Sequence, residues 1–183
     1  MLRLTVVAAL LLPVSLGATV LVPIEFRELV TTAPVIVRGR VVDVHPAWVD
    51  GRRAVETFVT VQAAEYLKGN LGSEVVIRVP GGQLGRYRTV FVGAPTFADG
   101  DDVLLFLKSS GSPYPFIVGL SQGAYRIVTP PGSSTPTVTQ PILMGQLDGD
   151  PVRVIRGDVA RRPVSVDRFR DTVRQVLAEA SGR

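Results

Sequence analysis

The segment Gly119-Leu120-Ser121-Gln122-Gly123 has the G-x-S-x-G spacing with which a serine hydrolase presents its nucleophile on a sharp strand-to-helix turn. Such a serine needs a base within hydrogen-bond reach, and the sole histidine, His45, precedes Ser121, opposite to the order of that hydrolase class. The next five residues, Ala124-Tyr125-Arg126-Ile127-Val128, make a strand pattern where a helix is required. A tight turn between two strands uses the same glycines, so catalysis by Ser121 is the least favoured reading. Asp99-Gly100-Asp101-Asp102 and Asp148-Gly149-Asp150 offer oxygen ligands for calcium, but neither runs on to a distant bidentate Glu, and turn chemistry accounts for both. Gly81-Gly82 and Gly85 lack the Gly-Lys-Ser/Thr of a phosphate loop. Arg156-Gly157-Asp158 spells an integrin-binding tripeptide that any exposed turn can carry. Trp48, in His45-Pro46-Ala47-Trp48, is a candidate recognition residue, with a place over the mouth of a barrel as its structural alternative. The expectation is therefore a non-enzymatic chain with no cofactor and no intrinsic metal.

Composition narrows the setting. With no Cys and one His in 183 residues, thiol catalysis, cysteine-based zinc sites, iron–sulfur clusters and disulfide scaffolds are excluded. A chain this long buries ~70% of the surface of its unfolded state and needs no staple. Met1-Leu2-Arg3, followed by an apolar run from Leu4 to Leu16, reads as a secretory signal peptide over residues 1–17. Ser15 and Gly17 are the small residues before the cut, which puts the mature start at Ala18, with Thr19 as the alternative. The run is short of the ~20 residues of a membrane span and is broken by Pro13. A secreted or extracytoplasmic location is implied, with no membrane span after cleavage. The arginine pairs Arg38/Arg40, Arg52/Arg53, Arg86/Arg88 and Arg161/Arg162 are short and scattered, and read as solvated surface; no nucleic-acid partner is expected.

The elements that would position these residues are mainly strands. Pro23 to Ala33 reads as a short helix ended by Pro34. Strands are expected at Val35–Val44, Ala54–Leu67, Glu74–Val79, Tyr87–Val92 and Val103–Leu107, the last apolar on both faces and so the most buried. The first carries Gly39 at its middle and slips in phase after Val41, the mark of a strand that bends. Tyr114–Leu120 and Ala124–Val128 read as a hairpin turned by Ser121-Gln122-Gly123. Thr129–Pro141 reads as an exposed loop, and Val152–Ile155 as part of a short hairpin. Ser165 caps an amphipathic helix over about 165–180, with Val166, Phe169, Val173, Val176, Leu177 and Ala180 on one face. Residues 18–183 thus form one domain.

The succession Val35-Ile36-Val37-Arg38-Gly39-Arg40-Val41, Phe58-Val59-Thr60-Val61, Glu65-Tyr66-Leu67-Lys68-Gly69, Val75-Val76-Ile77-Arg78-Val79-Pro80 and Asp102-Val103-Leu104-Leu105-Phe106-Leu107 resembles the netrin-like domain of tissue inhibitors of metalloproteinases, over roughly Ala18 to Val128. It is also similar to bacterial exported proteins with the same Leu-Lys-Gly and Leu-Leu-Phe-Leu segments. The resemblance implies an antiparallel OB-fold-like barrel and a protein partner, specifically a zinc metallopeptidase. In that family the terminal amine and first carbonyl chelate the protease zinc while a Thr side chain enters the specificity pocket. Carried over, these roles fall on Ala18 and Thr19, with Val20 completing the stretch that stands where the family has Cys-Thr-Cys. A carbohydrate- or nucleic-acid-binding module of the cell envelope is the alternative.

Overall fold

In the computed structural model, which describes residues 23–139 and 163–182, the alternating segments after Pro34 and Arg53 become two long strands, β1 (Val35–Val49) and β2 (Ala54–Lys68). They pair antiparallel from Ile36–Lys68 to Val49–Ala54. Register shifts between Ile36 and Val37 and between Arg38 and Gly39 leave an extra residue in β2, Leu67 and Ala64, and the shift between Val41 and Asp43 leaves Val42 extra in β1, where the sequence slips phase; such bulges bend a strand. β3 (Glu74–Pro80) joins the outer side of β2. β4 (Gly82–Leu84) and β5 (Tyr87–Thr89) form a small separate hairpin, and β6 (Asp102–Lys108) pairs with the other side of β1. Beyond β6 come β7 (Phe116–Ile117), β8 (Ala124–Val128), β9 (Thr137–Thr139) and β10 (Val164–Ser165), giving the sheet order β10-β9-β8-β6-β1-β2-β3 with β7 also on β6. The protein is mainly β and antiparallel, and the described residues also form two α-helices, α1 (Phe26–Thr32) and α2 (Val166–Ser181).

The curled sheet is buried on both faces where β1 and β6 meet. Leu104 and Phe106 of β6, with Ile36, Tyr125 and Ile127, pack against Leu29 and Val30 of α1 and Phe169, Val173 and Val176 of α2. Val103, Leu105 and Leu107 face into the curl with Val37, Val59, Val61 and Ile77. Val103–Leu107 is thus buried throughout, as its two-sided apolar sequence implies. Among the described residues no helix is long and apolar enough to cross a membrane.

The expected closed barrel does not form. β3 has a ladder to β2 alone, and its other edge meets the chain before β7 through a single backbone bond, Arg78 N–H to Pro115 O at 3.1 Å. Pro113 and Pro115 have no N–H to give, so the partner that would close the ring cannot extend a ladder there. The expected hairpin through Ser121 is also corrected. β7 and β8 both run antiparallel to β6, pairing with Leu107–Lys108 and Asp102–Leu105 respectively. They are one interrupted strand, from which a 3-10 turn, Leu120–Gly123, loops out behind Gly119 at φ +65°. Only Tyr87–Thr89 of the expected strand Tyr87–Val92 pairs, and the expected loop after Thr129 ends early, in β9, which pairs with β8 and β10. The hairpin placed at Val152–Ile155 lies outside the described residues.

α2 begins where the sequence puts it. The Ser165 hydroxyl accepts the Arg168 N–H at 3.3 Å, satisfying one of the first-turn donors. Ser165→Ala is expected to lower stability by about 1 kcal/mol, read as a shift in denaturation midpoint at constant slope. Arg170 and Glu65 tie the same turn to β2 at 2.9 Å, and the carboxylate's hydrogen bond pushes the guanidinium's pKa up from its ordinary value. At the other helix, Lys68 Nζ donates to the Val30 and Thr31 carbonyls at 3.0 and 2.9 Å, a cation on the negative end of α1. Burial pushes the Lys68 pKa down.

Candidate functional site

Two ends of the molecule gather the residues that the sequence singles out. The first is where the chain enters. The Ile24 N–H donates to Gln122 Oε1 at 2.7 Å, and Gln122 is itself buried in the 3-10 turn. The side chain of Ile24 reaches the space that a Cβ on Gly119 would fill, 2.5 Å away. The turn that the sequence offered as a nucleophile elbow therefore holds the segment preceding α1. Ala18, Thr19 and Val20, and the boundary of residues 1–17, lie outside the described residues.

Ser121 donates its N–H to Gly93 O at 2.9 Å and borders a cleft of ≈ 370 Å³ with Thr96, Phe97, Ala124, Tyr125 and Arg126, among others. The lining of that cleft contains no histidine. His45 stands on β1 opposite Phe58, its Nδ1 2.7 Å from Asp43 and its ring stacked on Phe58 at 5.6 Å, and Phe58 packs on Tyr114. Two of the three carboxylates of the Asp99–Asp102 stretch are taken by the fold. Asp101 accepts the Ala98 N–H at 2.9 Å and the Arg126 guanidinium at 2.6 Å, and Asp102 pairs with Arg38 at 3.0 Å. Asp148–Asp150, Arg156–Asp158 and Arg161/Arg162 are outside the described residues.

The second end is the far tip of the β1–β2 hairpin, over which β4 and β5 fold. There Val44, Pro46 and Trp48 of β1 lie opposite Val59, Thr57 and Val55 of β2. The small hairpin is fastened by Thr57 Oγ1 to Gly81 O at 2.8 Å and by Val55 N–H to Thr89 Oγ1 at 3.0 Å. Its own backbone angle and side-chain crowding explain Gly82: at φ +154° its missing Cβ would sit 2.7 Å from Thr57 Oγ1. Between strands and hairpin lies a cleft of ≈ 420 Å³ bordered by Val44, Thr57, Val79, Arg88, Phe91 and Phe97, among others. Trp48 is half-buried at this tip, edge-on to Tyr87 at 5.1 Å. Arg78 of β3 pairs with Glu56 of β2, and that contact pushes the arginine pKa up.

This tip holds what sequence reading missed. The Trp48–Tyr87 contact brings the turn with Arg52 and Arg53 to the hairpin with Arg86 and Arg88, two pairs that look scattered along the chain. Val90, Phe91 and Val92, expected to continue a strand, are instead 69%, 47% and 53% exposed. Three consecutive apolar residues before Gly93, without alternation, were the available signal.

Comparison with protein-family models, with characterised proteins and with solved structures finds no match, so the geometry carries the functional reading.

Proposed function

We propose that the chain is an exported, non-enzymatic binding domain, an open relative of the OB-fold, that engages a secreted protein partner through its N-terminal segment and the adjoining rim. The specific case is a zinc metallopeptidase held by the N-terminus in the manner of the tissue inhibitors it resembles. The observation that supports this is the grip of Gln122 on Ile24. Five residues, Thr19 to Pro23, separate Ala18 from Ile24, so a chain cut before Ala18 carries its terminal amine a short distance in sequence from that contact. The hydrogen bond and the Ile24–Gly119 packing stand where the family uses disulfides, and reduce the ordering cost that a free end would subtract from affinity.

The chemistry needs only backbone atoms and Thr19. The neutral amine and carbonyl of Ala18 would ligate the partner's zinc and displace its water, with Thr19 directed to the pocket beside it. Acetylation removes the amine lone pair, and an added Met moves the chelating pair off the metal. Against zinc peptidases of the same secretome, the chain starting at Ala18 is expected to inhibit, whereas the acetylated and Met-extended forms do not. Equal inhibition by all three would retire chelation and leave binding through the rim. Inhibition by none would favour the envelope glycan or nucleic-acid module. The hydrolase alternative is checked separately: a fluorophosphonate probe is expected to leave Ser121 unlabelled.

A further inference from the structure

We infer that the Val90–Val92 loop, with the arginines and aromatic rings next to it, is a docking surface for the face of an anionic lipid bilayer. The apolar part is nearly continuous in sequence: Tyr87 is 48% exposed, and Val90, Phe91 and Val92 come three residues later at 69%, 47% and 53%. A run of large apolar side chains left in water marks an interaction surface, since folding gains nothing from it. The basic part surrounds it. Arg86 and Arg88 flank Tyr87, with the Arg86 guanidinium 5.0 Å above the Tyr87 ring, and Arg52 and Arg53 occupy the turn beyond Trp48. Among the described residues Arg52, Arg53 and Arg88 make no ion pair, and the acids nearest in sequence are Asp50 in the same turn and Glu56, which is taken by Arg78.

Charge and shape together select the occupant. A nucleic acid or an acidic glycan would use the arginines and the rings, but the branched aliphatic side chains of Val90 and Val92 cannot stack on a base or a sugar. A bilayer uses all three kinds of group. The valines and Phe91 enter the boundary between headgroups and acyl chains, and Trp48 and Tyr87 match the half-polar depth just above it. The arginine forks bind headgroup phosphates, and all four cations here are arginine. The loop adjoins the turn that carries the proposed N-terminal contact, since Ser121, next to Gln122, donates its N–H to Gly93 O just after Val92.

The chain's single tryptophan makes the test specific. Trp48 touches Tyr87, so its emission reports on this surface and not on the apolar residues 4–16. The full chain is mixed with phosphatidylcholine vesicles, and with vesicles of phosphatidylcholine and phosphatidylglycerol in equal parts carrying plain or brominated acyl chains. Anionic vesicles are expected to shift Trp48 emission to the blue, and brominated chains to quench it. Replacing Val90, Phe91 and Val92 together by Ser should weaken partitioning about tenfold or more. Arg86→Gln and Arg88→Gln should each weaken it about fivefold at low salt, with the effect shrinking as salt is added. All these side chains are exposed, so the variants should melt with the parent. Unmoved Trp48 emission, equal partitioning of the triple Ser variant, or equal binding to vesicles without phosphatidylglycerol would each overturn the assignment. So would tight binding of a single-stranded oligonucleotide that survives the triple Ser replacement and is lost in the Arg variants, since that result assigns the patch to a soluble polyanion.

Discussion

Phe106→Ala is expected to cost about 3–5 kcal/mol of folding stability, as much as any single truncation in the chain. Phe106 is fully buried at the centre of β6 and completes a group of four rings. Its ring meets Phe26 of α1 edge-on at 6.3 Å and Tyr125 of β8 at 5.5 Å, and both of those reach Phe169 of α2, at 5.4 and 5.3 Å. Truncation removes the apolar transfer energy of the ring, leaves a cavity whose walls belong to two strands and two helices, and takes away the edge-to-face contacts. Phe106→Leu keeps much of the volume and should cost about 1.5 kcal/mol or less. The check is the denaturation midpoint followed by two signals at once. Helical circular dichroism reports α1 and α2, while Trp48 emission reports the far tip of the β1–β2 hairpin. Coincident transitions mean that the ring group holds the whole domain together. An early loss of helix with Trp48 unchanged would mean that it holds only the helices.

That ring group also shows how far sequence patterning reaches. Phe169 declares itself through the spacing of three and four residues after Ser165, and Phe106 through a run too apolar for a one-sided strand. Their contact is a matter of strand order, which no local pattern carries. The same division explains the errors. Ser121-Gln122-Gly123 has turn chemistry whether the flanking strands pair with each other or both lie along β6, and the structure shows the second. The bend at Gly39 is legible, but closure of the ring depends on what faces β3, and there Pro115 offers only a carbonyl. The arginine pairs are visible one by one, whereas their meeting depends on a tertiary contact between Trp48 and Tyr87. Of the candidate site, Trp48 and the Gly119–Gly123 turn were legible as special. The grip of Gln122 on Ile24 was not, because a buried amide 98 residues away has no sequence signature.

Gly39→Ala should be the most damaging single methyl that can be added to the sheet, at about 1–3 kcal/mol, and Gly39→Val worse. The cause is steric. Gly39 pairs with Ala63 on one side and Val103 on the other, at the register shift following Arg38. A Cβ there would lie 2.4 Å from the Gln62 carbonyl oxygen and 2.7 Å from Val61 Cγ1. The oxygen belongs to the backbone of β2, so no rotamer change relieves the contact; β1 and β2 must move apart at the point where the sheet curls, loosening the core around Val37, Val61 and Leu105. Gly51→Ala is the control. It stands at φ +65° in the β1–β2 turn with nothing within 4 Å of the added methyl, so its cost is conformational alone, about 1 kcal/mol. Denaturation midpoints of the two variants separate the causes. If Gly39→Ala proves no more costly than Gly51→Ala, the strands have room to adjust and the close approach of β2 does not set the curl. A larger loss at Gly39, accompanied by faster amide exchange along Val61–Ala63, ties the curl to this one missing side chain. Since β1 and β2 run from the curl out to Trp48, the same variant should also shift Trp48 emission in the folded protein.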